Sequence, residues 1–163
     1  MSANPFAVKS TLDYQMPDFA NIRDDHYLEA FEAAVTEHSA EIAAILASGE
    51  PTFENTLEAI ERSGQYLGRV LGVFYNKHSS DTNPKIDEID EVIAPKLSAH
   101  LDSIRLNPEL FARIDALYQK RDSLEISAEA KWLIERYHRE YSLAGAGLSA
   151  ADRAALAALN EEL

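Results

Sequence analysis

Residues 51–76, PTFENTLEAIERSGQYLGRVLGVFYN, decide how the rest of the 163-residue chain is read. Phe53, Leu57, Ile60, Gly64, Leu67, Leu71 and Phe74 follow one another in steps of three or four. That spacing predicts one helix with a single apolar stripe along about six turns. Pro51 and Thr52 suit its entry, because proline cannot continue a preceding helix and a threonine hydroxyl can accept an orphan amide proton. Gly64, Gly68 and Gly72 stand four apart, in one row, and each costs roughly 1 kcal/mol against alanine in a helix interior. A row of missing side chains is read as the place where another helix comes close. A membrane span is excluded, because Glu58, Glu61, Arg62 and Arg69 share the segment. The stretch is read as the central, closely packed helix of an all-α domain.

Working outward, Asp24 or Asp25 is expected to cap a preceding helix with stripe Tyr27, Phe31, Val35, His38, Ile42 and Ile45, ended by Gly49. On the other side, Lys77–Asn83 reads as a polar loop. Asn83–Pro84, a cap followed by proline at the first helical position, opens a helix to about Leu106. Pro95 lies inside it and predicts a kink near residues 91–95. Asn107–Pro108 repeats the signal for a fourth helix, with Phe111, Ile114, Leu117 and Tyr118. Ser127 starts a fifth, which Gly145 and Gly147 stop, and Ser149 caps a sixth. Strand-like alternation and internal repeats are absent. The expected architecture is about six helices in an antiparallel array over residues 24–163. Residues 1–23 form an extended arm whose Phe6, Leu12, Tyr14, Met16, Phe19 and Ile22 should lie against something. The last helix has a start and no clear stop, so the chain reads as a truncated piece of something longer.

The formal charge of −13 opposes nucleic acid as a partner, because phosphates would be repelled. The absence of cysteine excludes disulfides, thiol nucleophiles and cysteine-ligated metals. With no basic stretch leading into an apolar run, and no run of about 18 apolar residues, the expectation is a cytoplasmic protein.

A zinc peptidase site of the commonest kind places two histidines four apart on a helix, with a glutamate after the first, H-E-x-x-H. The histidines here are His26, His38, His78, His100 and His138, no two four apart and none followed by glutamate. A di-iron bundle needs two Glu-x-x-His motifs, and only Glu135-x-x-His138 has the spacing. His38 falls on an apolar stripe and reads as a core or boundary histidine. Gly145-Ala146-Gly147 is a helix stop, because no strand precedes it. The pairs Asp24/Asp25 and Glu161/Glu162 read as solvated charge. These residues supply no catalytic, cofactor-binding or metal position.

The order and wording of the segments do carry a resemblance. NPF (4–6), PDFANIRDDHYLEAFEAAV (17–35), PTFENTLEAIERSG (51–64), APKLSAH (94–100), LNPELF (106–111) and LIERYHREY (133–141) followed by GAGLS (145–149) resemble one family. It is the thimet oligopeptidase-like (M3) zinc metallopeptidases, nearest the bacterial peptidyl-dipeptidase and oligopeptidase A branch. The resemblance covers essentially the whole chain. It implies the N-terminal part of a neurolysin-like, two-lobed helical fold, in which a deep channel admits short peptides. It implies one zinc in the parent enzyme, held by H-E-x-x-H and a downstream glutamate, all far C-terminal of the part matched here. The implied partners are the C-terminal catalytic lobe of the same polypeptide and short peptides. The implied role of this part is to wall the channel, with exposed faces around Asn76–Asn83 and Tyr137–Tyr141. The alternative is a stand-alone helical interaction module without enzymatic activity.

Overall fold

A computed structural model describes residues 4–162, the side chains of 161 and 162 apart, and the described residues are all-α. The helices are α1 (His26–Ala47), a π-helical turn (Phe53–Glu58) running into α2 (Ala59–Arg62), α3 (Gln65–Ser80), α4 (Pro84–Arg105), α5 (Pro108–Lys120), α6 (Ala128–Ala144) and α7 (Ala150–Glu162).

The starts follow the caps. Asn83 Oδ1 accepts from the backbone N–H of Lys85 and Ile86 (2.9 and 3.1 Å). Asn107 Oδ1 does the same for Glu109 and Leu110 (2.9 and 3.0 Å). Ser127 and Ser149 accept from Ala130 and Asp152. Each such bond satisfies a donor that a helix start leaves unpaired. The Asp24 carboxylate instead accepts from Asn83 Nδ2 at 2.9 Å, and so ties the start of α1 to the start of α4.

The single helix expected over 51–76 is two helices. Thr52 and Asn55 form a reciprocal capping box at its start. Ser63 then leaves the helical region and Gly64 turns left-handed at φ 67°, before α3 begins at Gln65. A Cβ on Gly64 would lie 2.9 Å from His38 Cε1, so glycine is required there both by the backbone and by the neighbouring ring. Gly68 and Gly72 do not form a helix-packing row: a Cβ at either would meet nothing within 4 Å. The helix after them is also longer than expected. Lys77–Ser80 belongs to α3, where Lys77 pairs with Asp81 at 2.7 Å and basic residues sit at the negative end of the helix dipole. α4 runs through Pro95 as one element.

The chain divides into two compact units. One comprises Met1–Glu41 and Gly64–Lys96. Its core is aromatic: Phe6 packs on Tyr27 (5.5 Å between ring centroids) and Tyr27 packs edge-on against Phe74 (5.3 Å), with Phe31, Val70, Ile86, Ile89 and Ile93 also buried. The arm is not simply extended; it makes two 3₁₀ turns, Pro5–Ala7 and Asp13–Gln15. Asn4 holds its beginning by donating to His26 O and Glu29 Oε2. The other unit comprises Ile42–Ser63 and Leu97–Leu163. Its clusters are Ile42, Ile45, Ile104, Leu110, Ile114, Tyr141 and Ala146, and Leu57, Leu117 and Ile134.

Candidate functional site

In the second unit, the most organised polar group lies where the π turn meets α5. Arg113 sits on α5 between Leu110 and Leu117, three residues after one and four before the other, so helical geometry carries it into the apolar face. It is buried. Its guanidinium donates to Gly49 O (2.9 Å), Ser48 Oγ (2.8 Å), Asn55 Oδ1 (2.9 Å) and Thr56 Oγ1 (3.2 Å). Asn55 in turn donates to Glu50 O at 2.9 Å. No carboxylate pairs with Arg113 among the described residues, so neutral oxygens solvate the buried cation. Its Nε is buried without a partner there. The arrangement clasps the 48–56 connection onto α5.

Beside it runs a face of α6. Tyr137 donates to Glu61 Oε1 at 2.8 Å, and burial followed by that carboxylate pushes its phenol well above the usual range. Tyr141 is buried in the core, and burial pushes its phenol up to about 12. Tyr141 is therefore not exposed, whereas Arg139 and Glu140 of that expected face are. The two residues of Glu135-x-x-His138 go to different partners. Glu135 accepts from Arg121 Nε at 3.2 Å, whereas a His138 ring nitrogen lies 3.0 Å from Asp115 Oδ1. The His138 ring stacks on Tyr118 at 3.9 Å, and Arg121 covers Tyr118 at 4.1 Å.

In the first unit, the expected face around Asn76–Asn83 is a helix end rather than a loop. His78 lies 3.7 Å from Asp87 and 3.8 Å from Asp90. Tyr75 has its phenol raised, first by burial and then by Asp90. His38 is half-buried against Gly64, and burial lowers the pKa of its ring.

Among the described residues no three histidines or carboxylates converge as a metal would require. Arg23 contacts both ring nitrogens of His26, and Asp115 faces one ring nitrogen of His138.

Two curated proteins match nearly end to end with this chain. Dipeptidyl carboxypeptidase of Escherichia coli (strain K12) is 43% identical over 160 residues, which is 98% of this chain and 24% of that protein. Dipeptidyl carboxypeptidase of Salmonella typhimurium (strain LT2) is 42% identical over 163 residues, 99% of this chain and again 24% of the relative. The chain is a homologue of the dipeptidyl carboxypeptidases. Oligopeptidase A of Escherichia coli (strain K12) is more distant, at 22% identity over 136 residues, 83% of this chain and 20% of that protein. No family model matches. The resemblance to thimet oligopeptidase-like peptidases thus holds across the chain, arm included. The chain spans about a quarter of the length of the dipeptidyl carboxypeptidases it matches. No helix among the described residues is long and apolar enough to cross a membrane.

Proposed function

We propose that this chain is the N-terminal, channel-forming helical part of a zinc-dependent oligopeptidase of the peptidyl-dipeptidase type. Its work is steric: it walls the channel, limits entry to short peptides, and presents helix faces to the catalytic lobe of the same polypeptide. It contributes no zinc ligand and no catalytic group. The observation that carries this reading is the match of 43% identity across 98% of the chain to a protein about four times longer that is named a dipeptidyl carboxypeptidase. The internal chemistry agrees with a scaffold. The Arg113 bonds, the Tyr137–Glu61 pair and the aromatic stack around His138 are each made within the chain.

The test compares two purified proteins on a short peptide with a free C-terminus. The full-length natural polypeptide is expected to release C-terminal dipeptides and to lose that activity to a zinc chelator. The 163-residue chain alone is expected to be inactive with zinc added. Zinc-dependent cleavage by the chain alone would overturn the proposal. A full-length polypeptide without peptidase activity would favour the interaction-module reading instead.

A further inference from the structure

The N-terminal arm presents a concentrated apolar surface. Val8, Leu12, Tyr14, Met16 and Phe19, five large apolar side chains within twelve residues, are exposed, Tyr14 to 98%. Single exposed apolar residues are ordinary on a protein surface, whereas a contiguous group marks an interaction site.

The arm is also held in shape. Phe6 anchors it in the aromatic core, and Gln15 and Met16 donate back to Leu12 O and Asp13 O (2.9 and 3.2 Å). Tyr14 and Gln15 both adopt left-handed backbone conformations, at φ 57° and 56°, which side-chain-bearing residues rarely take and which surrounding structure must impose. The turn aims Tyr14 outward instead of folding it over the groove of about 290 Å³ between the arm and α3. Phe6, Leu12, Ile22 and Val73 line that groove, so apolar surface continues from its floor to the outer side of the arm.

The match to a longer relative gives this surface a candidate occupant. The match to the Salmonella typhimurium relative takes in 99% of this chain, arm included, yet only 24% of the relative. The arm is thus part of a matched scaffold that, in the relative, belongs to a far longer polypeptide. We infer that the outer face of the arm, centred on Tyr14, is a docking surface for the part of the same polypeptide that lies beyond Leu163. This rests on the reading of the chain as part of a larger peptidase. The arm acts as a clamp that fixes the remainder of the molecule onto the helical scaffold.

The experiment uses the full-length natural polypeptide with Tyr14 replaced by photoreactive p-benzoylphenylalanine, and a second sample with Met16 replaced in the same way. Both positions are exposed here, so the probe disturbs no core packing. After irradiation, cross-linked peptides are mapped by mass spectrometry and dipeptide release is assayed on the same samples. The inference predicts intramolecular links from both positions to residues beyond Leu163, in protein of monomer mass. Links confined to the first 163 residues, links between two copies, no links, or a natural polypeptide that stops at Leu163 would each overturn it. Activity separates the two ideas. An active enzyme without such links refutes the clamp alone; links in an inactive protein leave the clamp standing and refute the peptidase reading.

Discussion

Arg113 shows how much one side chain decides here. Its four acceptors come from Ser48, Gly49, Asn55 and Thr56, and removing the guanidinium takes a donor from each of them. Arg113→Met keeps the aliphatic volume and removes the donors, so we expect it to cost about 2–4 kcal/mol, read as a lowered urea midpoint. Arg113→Lys should recover only part of this, because a point ammonium cannot reproduce the planar fork. A midpoint unchanged by Arg113→Met would remove the clasp from the account. The glycines make a second residue-scale prediction. Gly64→Ala meets both a positive φ and the His38 ring, and should destabilise by about 1–2 kcal/mol. Gly68→Ala and Gly72→Ala sit in open helical positions and should each stabilise by roughly 0.5–1 kcal/mol. Opposite signs within one segment are hard to obtain if the three glycines share a packing row. The buried phenols give a pH prediction. Tyr141 ionises near pH 10.0 when unfolded but at about 12 when folded, because burial disfavours the phenolate. Tyr137 shifts in the same direction. A raised folded-state pKa means that the unfolded chain releases the proton first. The stability is fully present below about pH 10 and is lost as pH rises toward about 12. Denaturation midpoints across that window, together with phenolate absorbance, check this; a flat midpoint would contradict it. The sequence reading does not single out Arg113, and it places Gly64 inside a helix where the chain turns. Arg113 had a signal in the leucines at i−3 and i+4, Leu110 and Leu117. Gly64 had one in the Ser63–Gly64 pair, a common turn dipeptide. In both cases the continuing apolar period around them masked it.

At the scale of elements, starts were more legible than stops. Asn83, Asn107, Ser127 and Ser149 open the expected helices, because a cap is a local bond between a side chain and an amide two or three residues on. Asn107→Ala should therefore cost about 1 kcal/mol. Asn83→Ala should cost more, because Asn83 also donates to Asp24. Equal losses in thermal or urea unfolding would show that the tie to Asp24 contributes nothing. Stops and breaks depend on tertiary context. The apolar stripe of 51–76 keeps its period across the Gly64 turn, yet Phe53, Leu57 and Ile60 serve one unit while Leu67, Leu71 and Phe74 serve the other. Periodicity alone cannot distinguish a helix from two helices in phase. Polar composition likewise misplaced the end of α3, since Lys77–Ser80 are polar because that turn is solvated, and it is helical all the same.

For the whole molecule, the family and the all-α class were legible, because both rest on signals spread along the chain. A role for this part in a larger protein could be read only through the resemblance, since the sequence carries neither H-E-x-x-H nor a second Glu-x-x-His. If the arm normally docks on more protein, the chain alone should bind an apolar-surface dye or self-associate, and Leu12→Ser with Phe19→Ser should reduce both. A dye-silent monomer would count against an uncovered arm. The most direct test of the central claim is to read the natural reading frame past the codon for Leu163. The account predicts several hundred further codons that include H-E-x-x-H. A stop codon directly after Leu163 would contradict it and leave a helical interaction module as the better description.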